Sequence, residues 1–540
     1  MISGRLRPTN PLVAGLRITG MSNNTKRRHG ALGILSGGIA GVAGVLAGEA
    51  VAALLTGVTG PVLAVGNRAV DWAPRPAKEF AIETFGTADK PVLIGSVLAV
   101  VGILALFTGW LGTRRRIPGL IGFTALVFIA GLAMVTDRVA SASIPMRLIP
   151  IAAIAIVGIG GLAWMLTALS SSQGPAESAT AQPPRSFNRR AFVMAASAIA
   201  ATGAVGGVVT RAFSGAAALG SREALTLPSP AQQAPELPAG VTFEDVDGLT
   251  PYLTDNAEFY RVDTALQVPD VPLEGYSLRI HGMVDRELNL SFQDLLDRRL
   301  VEKRVTLTCV SNPVGGSYVG NATWLGVLMR DLLEEAGVQD GADAVKSTSV
   351  DDFTAGTPLS VLTDDRDALV AFGMNGEPLP LEHGFPVRMV TPGLYGYVSA
   401  TKWLVDLEVT RFADFEAYWS TRGYDAEAPI KLSSRIDVPA SFANLDAGDV
   451  TVAGVAWAQD RGIAQVEVRV DKGEWEEAKL ASADNDDTWR PWRWTWPAES
   501  GSHSIEVRAT DSTGETQTSD REPIAPNGST GWHNVTVKVS

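Results

Sequence analysis

The chain contains one cysteine, Cys309, among 540 residues. A single cysteine excludes an intramolecular disulfide, so a part of the chain outside the cytoplasm would depend on packing alone for its stability. It also excludes the cysteine sets that hold an iron–sulfur cluster or attach a c-type haem. The sequence therefore predicts a protein with no haem of that type and no iron–sulfur cluster.

Histidine is nearly as scarce as cysteine. The five histidines are His29, His281, His383, His503 and His533. None of them lies inside a long apolar run of the sequence. This excludes a haem held by two histidines within a membrane.

Basic residues are depleted in the second part of the chain. Residues 1–212 hold 19 Lys and Arg against 7 Asp and Glu, whereas the remainder holds 26 against 51. A surface that neutralises nucleic-acid phosphates needs clustered Lys and Arg, which this acidic part does not supply. Nucleic acid is therefore excluded as a partner, and the two parts of the chain are expected to lie in different environments.

Apolar runs in the first 212 residues reach the length, about 20 residues, that a helix needs to cross a bilayer. Such runs cover residues 31–58, 91–110, 119–135, 149–169 and, more weakly because of its many Ala and Gly residues, 191–209. Basic clusters at 26–28, 114–116 and 185–190 fall on one side of a bundle of about five spans, and short basic loops mark the cytoplasmic side. The sequence thus predicts a cytoplasmic tail at 1–30 and a multi-pass region at 31–212 in a bacterial cytoplasmic membrane, with the acidic part on the extracytoplasmic face.

Two features of these spans each allow two interpretations. Arg189 and Arg190 resemble a twin-arginine export signal, and they fit the basic flank of an ordinary span equally well. Glu49 is either a functional carboxylate within the membrane or a residue near the outer end of a shorter span. The second interpretation is favoured because Gly60 and Pro61 interrupt the apolar run.

The rest of the chain divides into three parts. Residues 213–240 are rich in Pro, Ala and Ser without periodicity, which predicts a linker. Residues 241–425 mix short alternating runs with helical spacing and predict an α+β domain, in which 323–338 is expected to be an amphipathic helix ending near Gly337. Residues 426–540 alternate in short runs between turn-forming residues, which predicts an all-β sandwich of the immunoglobulin type. The fold class is therefore multidomain, with an all-α transmembrane bundle followed by these two domains.

Cys309 ends the alternating run "RVTLTCV" and is followed by the turn-forming "SNPVGG". A lone cysteine is most often a small apolar residue of a core. A cysteine on a loop that follows a strand has two further interpretations: a thiolate ligand of a soft metal, or a nucleophile if a histidine such as His383 lies near it.

Longer segments resemble the molybdopterin-dependent sulfite oxidase family, in that family's order and at similar separations. They are "FYRVDTALQVP", "YSLRIHGMV", "TLTCVSN", "ATWLGVLMRDLL", "AFGMNGEPLPLEHGFPVRMVTPG", "TKWLVDLEV", "GVAWAQDRGIAQVEVRVDKGEWEEAKL" and "WHNVTVKVS". The most specific is "MNGEPLPLEHGFPVR", and the last two resemble the family's immunoglobulin-like dimerisation domain. The resemblance covers nearly all of residues 250–540 and implies a Mo-molybdopterin cofactor.

The resemblance also implies roles for residues at matching positions. Cys309 would be the thiolate ligand of molybdenum, Arg261 would line an anion-binding pocket near it, and Tyr424 would handle a proton during turnover. The cofactor-binding positions would be Tyr260, Arg261, Asp263, Thr264, Asp351 or Asp352, His383, Arg388, Ser399, Thr401 and Lys402. Two roles have structural alternatives, since Arg261 could form a surface ion pair and Tyr424 could bridge two domains.

The chain departs from the family's pattern at three places. Pro313 and Val314 stand where sulfite oxidases commonly have arginine soon after the cysteine, so part of the anion pocket is missing. Asp263 and Thr264 stand where the family has Asn-His. A cytochrome b5-like haem domain is also absent.

The resemblance implies a membrane-anchored oxidoreductase that oxidises sulfite and passes electrons to a c-type cytochrome or a quinone-linked partner. It further implies a homodimer formed through the C-terminal domain. The missing arginine keeps a second reaction open, the reduction of an S-oxide such as a methionine sulfoxide. A third, non-enzymatic alternative is a membrane-anchored scaffold or adhesion protein in which Cys309 belongs to the core.

Overall fold

The computed structural model describes residues 18–55, 58–74, 89–137, 142–170, 193–194, 196–198, 201 and 216–540. The chain separates into two compact units, Met1–Ser214 and Gly215–Ser540. Each unit has an apolar core of its own.

Long apolar helices make up the described part of the first unit. They are α1 (Ile18–Ala53), α2 (Pro61–Trp72), α3 (Asp89–Arg114), α4 (Arg116–Val135), α5 (Ile144–Ile154) and α6 (Gly160–Ser170), with a π-helical turn, Ala155–Ile159, between the last two. Within the described ranges, four stretches are long and apolar enough to cross a membrane: His29–Ala53, Val92–Arg114, Arg116–Val135 and Ile144–Leu169. These correspond to the first four predicted spans, whereas most of the fifth, 191–209, lies outside the described residues.

Glycines let α1 and α3 approach to backbone contact. A Cβ atom on Gly37 would lie 2.0 Å from the carbonyl oxygen of Ala105, and one on Gly109 would lie 2.2 Å from the carbonyl oxygen of Gly33. Small residues at helix interfaces permit close packing in lipid, where no hydrophobic driving force brings helices together. The contact between α1 and α3 therefore tolerates no larger side chain at these positions.

Glu49 lies near the end of α1 and contacts the start of α2. Its Oε1 accepts a hydrogen bond from the backbone N–H of Val62 at 2.7 Å. A Cβ atom on Gly60 would lie 2.2 Å from Glu49 Oε2, so the approach of the carboxylate depends on that glycine. Glu49 thus caps the N-terminus of α2, where the helix dipole favours negative charge.

The second unit begins with an α+β part that contains two sheets. Its elements are α7 (Ala216–Ala224), β1 (Ser277–Gly282), β2 (Leu288–Ser291), α8 (Phe292–Leu296), β3 (Val301–Thr308), β4 (Val319–Leu328), α9 (Met329–Ala336), β5 (Ala344–Ser349), β6 (Thr354–Pro358), α10 (Leu359–Thr363), β7 (Leu369–Met374), β8 (Glu377–Pro378), β9 (Arg388–Val390), α11 (Gly396–Ser399) and β10 (Leu404–Thr410). One sheet has the order β2-β1-β10-β5-β6 and the other β3-β4-β7-β8, with β9 paired to β7. Short 3₁₀ turns occupy Leu381–His383, Phe412–Asp414 and Ser420–Arg422.

The second sheet is buried on both faces, and β4 shows this most clearly. Leu325 and Val327 belong to a core shared with the first sheet and α9. Ala322 and Trp324 belong to a separate core on the opposite face. Successive side chains of a strand point to opposite faces, so the sheet lies between two apolar layers. This burial fixes β3, and with it the position of Cys309 just after its last residue.

A β-sandwich completes the unit. Its strands are β11 (Ser433–Val438), β12 (Asn444–Leu445), β13 (Gly448–Trp457), β14 (Ile463–Val470), β15 (Glu476–Glu477), β16 (Lys479–Leu480), β17 (Arg490–Ala498), β18 (Gly501–Asp511) and β19 (His533–Val539). They form two sheets, β11-β13-β17-β16 and β12-β19-β18-β14-β15, around a core that includes Trp492 and Trp496.

Buried polar contacts join the sandwich to the α+β part. Arg304 in β3 donates to both carboxylate oxygens of Asp484, at 2.5 and 2.7 Å. The hydroxyl of Tyr252 donates to the same carboxylate at 2.9 Å. The indole N–H of Trp489 in turn donates to the carbonyl oxygen of Tyr252 at 2.9 Å. The two parts of this unit are therefore held together by oriented polar groups as well as by apolar packing.

Two stretches differ from the sequence-based expectations. Residues 323–328, expected to begin a helix, continue β4, because they pair with β3 on one side and β7 on the other. The helix is confined to α9 and ends, as expected, at Gly337, whose φ of +71° is favourable for glycine. The segment expected to be a linker contains α7, which is fixed because Arg222 donates to the carbonyl oxygens of Pro378 and Leu379.

Candidate active site

A cavity of about 890 Å³, counted with its open mouth, lies beside Cys309. Nine of the residues predicted for the site line it: Tyr260, Asp263, Thr264, Cys309, Asp351, His383, Arg388, Lys402 and Tyr424. They come from the segment before β1, the end of β3, the turn between β5 and β6, the region around β9 and α11, and the turn before the sandwich. Residues that are far apart in the sequence thus surround one cavity.

Cys309 is 9% exposed, and its sulfur lies at the cavity wall. Burial raises the pKa of the thiol above its ordinary value, because a thiolate would lose its hydration there. The backbone N–H of Ser311 donates to the sulfur at 3.4 Å, and this contact, together with the charge of Lys402, opposes the rise. The environment keeps the thiol protonated until a bound cation stabilises the thiolate.

Asp263 holds two cations with one oxygen atom. Its Oδ2 accepts from Lys402 Nζ at 2.7 Å and from Arg261 Nε at 2.9 Å, and its side chain is 4% exposed. Arg261 is 38% exposed and is not among the residues that line the cavity. The surface ion pair considered from the sequence is therefore present, and the role of Arg261 at an anion pocket stays a prediction.

Arg388 is a buried cation without a carboxylate partner among the described residues. Its guanidinium is 5% exposed, lies over the ring of Trp324, and donates to the carbonyl oxygens of His383 and Met389. Burial lowers its pKa to about 10. A buried guanidinium that faces a cavity without a counter-ion is suited to bind an anionic group such as a phosphate.

His383 is neutral at physiological pH. Burial lowers its pKa to about 4, and the nearby Arg388 and Lys402 act in the same direction. Its Nε2 lies 2.9 Å from the carbonyl oxygen of Asn256. Because a carbonyl oxygen can only accept, Nε2 carries the hydrogen and Nδ1 is left as an acceptor.

Lys402 makes anion binding at this site sensitive to pH. Burial lowers its pKa to about 8, while Asp263 opposes the shift. The ammonium charge is therefore present below pH 8 and is lost as the pH rises through that value. We expect the affinity of the cofactor-free protein for sulfate, whose charge is constant over this range, to fall about tenfold between pH 6.5 and 9.5.

Isothermal titration calorimetry measures this affinity, and Lys402→Arg is the matched control because arginine keeps its charge throughout. The variant should bind sulfate with little change over the same pH range. The same fall in both proteins would show that another group causes it.

Two further predicted residues, Ser399 and Thr401, are buried and do not line the cavity. Ser399 is fully buried and its hydroxyl donates to the carbonyl oxygens of Leu394 and Tyr395. The hydroxyl of Thr401 lies 2.7 Å from that of Ser347. Both side chains support the backbone that carries Lys402, and neither lines the cavity.

An aromatic wall that the sequence did not predict closes one side of the cavity. Tyr424 packs edge-on against Tyr397 and Trp419, with ring centroids 5.5 and 5.2 Å apart, and Phe353 also lines the cavity. Trp419 lies within "AYWSTRGYD", so its proximity to Tyr424 in the sequence was a usable signal. Tyr397 and Phe353 carried no such signal, because only the fold brings them near Tyr424.

The donor atoms fit a metal whose other ligands come from a cofactor. Across the described residues, no group of three or more His, Cys, Asp and Glu side chains could hold a metal ion by itself. Cys309 lines the cavity together with Arg388, a buried cation that has no carboxylate partner in the part of the chain that the structure describes. This combination suits an anionic cofactor that brings both a phosphate and further metal ligands.

Two family models match the second unit. One, described as an oxidoreductase molybdopterin binding domain, matches residues 265–419, and the other, described as a bacterial Ig domain, matches residues 433–507. The first match contains five of the nine predicted residues that line the cavity: Cys309, Asp351, His383, Arg388 and Lys402 lie within it, while Tyr260, Asp263, Thr264 and Tyr424 lie just outside.

Curated proteins similar to this chain include sulfite oxidases. Sulfite oxidase of Gallus gallus is 31% identical over 334 residues, which cover 52% of this chain and 72% of that protein. Mitochondrial sulfite oxidase of Homo sapiens is 29% identical over 343 residues, 54% of this chain and 62% of that protein. The uncharacterized oxidoreductase YuiH of Bacillus subtilis is 35% identical over 163 residues, 29% of this chain and 79% of that protein.

The chain thus spans 62% of the length of the human protein, less than two thirds. Among solved structures, the sulfane dehydrogenase SoxCD from Paracoccus pantotrophus is 22% identical, with a TM-score of 0.48, over 54% of this chain and 82% of that one.

Proposed function

Because the chain belongs to the sulfite oxidase family of molybdopterin-dependent oxidoreductases, we propose that it is a sulfite-oxidising enzyme that passes electrons to an external acceptor. The observation that supports this proposal most strongly is that Cys309 and Arg388 line the same cavity. Cys309 is the one thiol of the chain, and Arg388 is a buried cation without a carboxylate partner in the described part of the chain. The thiol supports a metal ligand, and the cation supports the binding of an anionic cofactor.

The residues that line the cavity would have different roles in the reaction. Bound molybdopterin would supply the molybdenum that exchanges an oxygen atom and two electrons with the sulfur of the substrate. Cys309 would bind the metal as a thiolate, while Arg388 and Lys402 would bind the anionic part of the cofactor. The phenol oxygen of Tyr424 would hold or release a proton beside the substrate.

We place the second unit on the extracytoplasmic face of a bacterial cytoplasmic membrane. The basic clusters that flank the apolar runs support this orientation. Electrons would leave to a c-type cytochrome or a quinone-linked partner, since the single cysteine leaves no set of thiolates for an iron–sulfur cluster of this chain's own. The sandwich, 426–540, would form the homodimer contact, next to a catalytic domain at 241–425.

The reduction of an S-oxide is a second candidate, favoured by the charges and the aromatic wall of the cavity. Besides the cations Arg388 and Lys402, the cavity is lined by two acidic side chains, Asp263 and Asp351. Asp263 already binds Lys402, which reduces the charge available to a sulfite dianion. The apolar faces of Tyr397 and Trp419 would accept an organic substituent on a neutral sulfur substrate.

Two assays on the molybdenum-loaded protein separate these candidates. For sulfite oxidation we expect sulfite-dependent reduction of a ferric acceptor and no S-oxide-dependent oxidation of a reduced viologen dye. Activity in the second assay alone would reject sulfite oxidation in favour of S-oxide reduction. A protein with no bound molybdenum, after expression in a host that makes molybdopterin, would contradict both candidates and leave the scaffold alternative.

A further inference from the structure

The turn that follows Cys309 is bonded to the β-sandwich at both of its ends. The hydroxyl of Ser529, in the loop before β19, donates to the carbonyl oxygen of Asn312 at 2.7 Å. The guanidinium of Arg435, in β11, donates through Nη1 to the carbonyl oxygen of Gly316 at 2.9 Å. The sandwich therefore contributes the hydrogen-bond donors for two carbonyl groups of a turn that belongs to the other domain.

The middle of the turn also contacts the sandwich. Gly315 has a φ of +78°, and a Cβ atom there would lie 2.1 Å from Cδ2 of His533. The ring of His533 is itself fixed, because its Nδ1 accepts from the backbone N–H of Ile436 at 3.0 Å. The turn therefore packs against a rigid surface and has no room to move toward it.

Arg435 is held in one orientation by partners on two sides. Its Nε donates to Asp437 at 2.6 Å, and its Nη2 donates to the hydroxyl of Thr250 at 2.8 Å. The side chain is buried. Because the guanidinium is planar, fixing Nε and Nη2 also fixes the direction in which Nη1 points toward Gly316.

Short contacts link this turn to the cysteine. The backbone N–H of Asn312 donates to the carbonyl oxygen of Cys309 at 3.0 Å, and the Asn312 side chain accepts from the N–H of Tyr318 at 2.9 Å. The N–H of Cys309 donates to the carbonyl oxygen of Tyr318 at 2.9 Å. A shift of Asn312 would therefore disturb both backbone groups of Cys309.

We propose that Ser529 and Arg435 are positioning residues for Cys309, through which the β-sandwich sets the direction and accessibility of the thiol in the catalytic domain. The proposal rests on the proposed function only in giving that thiol its role as a metal ligand. It assigns the sandwich a part in building the site as well as in any contact between subunits.

The single cysteine makes the test direct, because any thiol reaction of the chain reports this site alone. The full chain is purified in detergent from a host that cannot make molybdopterin, and its alkylation by N-ethylmaleimide is followed from pH 6.5 to 9.5. We expect Ser529→Ala to speed alkylation by about two- to tenfold, the factor that corresponds to one net hydrogen bond, and Arg435→Lys to act in the same direction.

Matched variants supply the controls. Ser482→Ala removes another sandwich hydroxyl that donates across to the α+β part, at the carbonyl oxygen of Ala239, far from the turn in sequence. Arg461→Lys alters an arginine of the sandwich that binds Asp511. Plotting alkylation rate against the unfolding midpoint for these controls defines how much a general loss of stability speeds the reaction.

If Ser529 and Arg435 position Cys309, the alkylation rates of Ser529→Ala and Arg435→Lys lie above the line that the controls define. The dependence of those rates on pH is then also altered. Rates that fall on that line would overturn the proposal. If Arg435→Lys does not fold, Ser529→Ala decides the outcome alone, because it removes only one hydroxyl. The molybdenum content of the wild-type protein is measured separately, so failure of the proposed function would leave this result intact.

Discussion

Cys309→Ser should yield a folded protein that contains no molybdenum and whose turnover is more than about a thousandfold lower, equivalent to at least about 4 kcal/mol of transition-state stabilisation. A serine hydroxyl has nearly the same shape as the thiol but is a hard, weakly acidic donor that cannot replace a thiolate at a soft metal. The described residues hold no cluster of metal-ligating side chains that could substitute for it. The loss should therefore be nearly complete.

Metal analysis and steady-state assay of the purified full chain test this expectation. Thr357→Ser is a suitable control, since Thr357 is also buried in the same domain and the substitution retains its hydroxyl. The control should keep molybdenum and activity. If Cys309→Ser kept both as well, Cys309 would be an ordinary core residue and the assignment of the cavity would be wrong.

Arg304→Met should destabilise the second unit by about 3 to 5 kcal/mol, the typical cost of leaving one member of a buried ion pair without its partner. Arg304 and Asp484 are 6% and 3% exposed and form a two-point contact. The methionine fills part of the space left by the arginine stem, so most of the loss would come from the uncompensated carboxylate. Tyr252 would remain as a donor to Asp484, which keeps the expected loss below that of a fully isolated charge.

Chemical unfolding of the full chain, followed by tryptophan fluorescence, measures the change. Arg493→Met is the matched control, because Arg493 also joins the sandwich to the α+β part through an aspartate, Asp245, but is 32% exposed beside a partner that is 74% exposed. That variant should change the free energy of unfolding by at most about 1 kcal/mol. Similar losses of unfolding free energy in the two variants would show that burial of the Arg304–Asp484 pair adds nothing to its contribution to stability. The double variant Arg304→Met/Asp484→Asn should recover part of the loss, since it removes the buried charge.

Local patterns in the sequence predicted the features that depend on neighbouring residues. The alternation of "RVTLTCV" predicted a strand, and β3 ends at Thr308, directly before Cys309. The helix α8 likewise depends on its neighbours in sequence, since Ser291 caps it in a capping box with Asp294. The resemblance to molybdopterin-dependent sulfite oxidases is confirmed by the matching family model and relatives, and the immunoglobulin type of the C-terminal domain by its own family match.

Two buried ion pairs, one at the site and one where the sandwich meets the α+β part, join residues far apart in the chain, and no local pattern encodes them. Asp263 binds Lys402 across 139 positions, and Arg304 binds Asp484 across 180. The ion pair of Asp263 with Arg261 is local in the sequence, whereas its pairing with Lys402 exists only in the folded chain. The strand at 323–328 was wrongly expected to be a helix because β4 is buried on both faces, so its apolar residues do not alternate with polar ones.

The cap that Glu49 forms on α2 bears on how these helices would enter a bilayer, in the membrane location proposed above. The acceptor and its donor, the N–H of Val62, are 13 positions apart, and a chain is synthesised from its N-terminus. α1 alone would present an unmatched carboxylate to lipid, at a cost of about 2.5 to 3.5 kcal/mol for an acidic residue at the centre of a span and less near its end. Entry of α1 and α2 together, as a helical hairpin, avoids that cost. The first insertion event is thus expected to involve the pair, with Gly60 as the residue that lets it close.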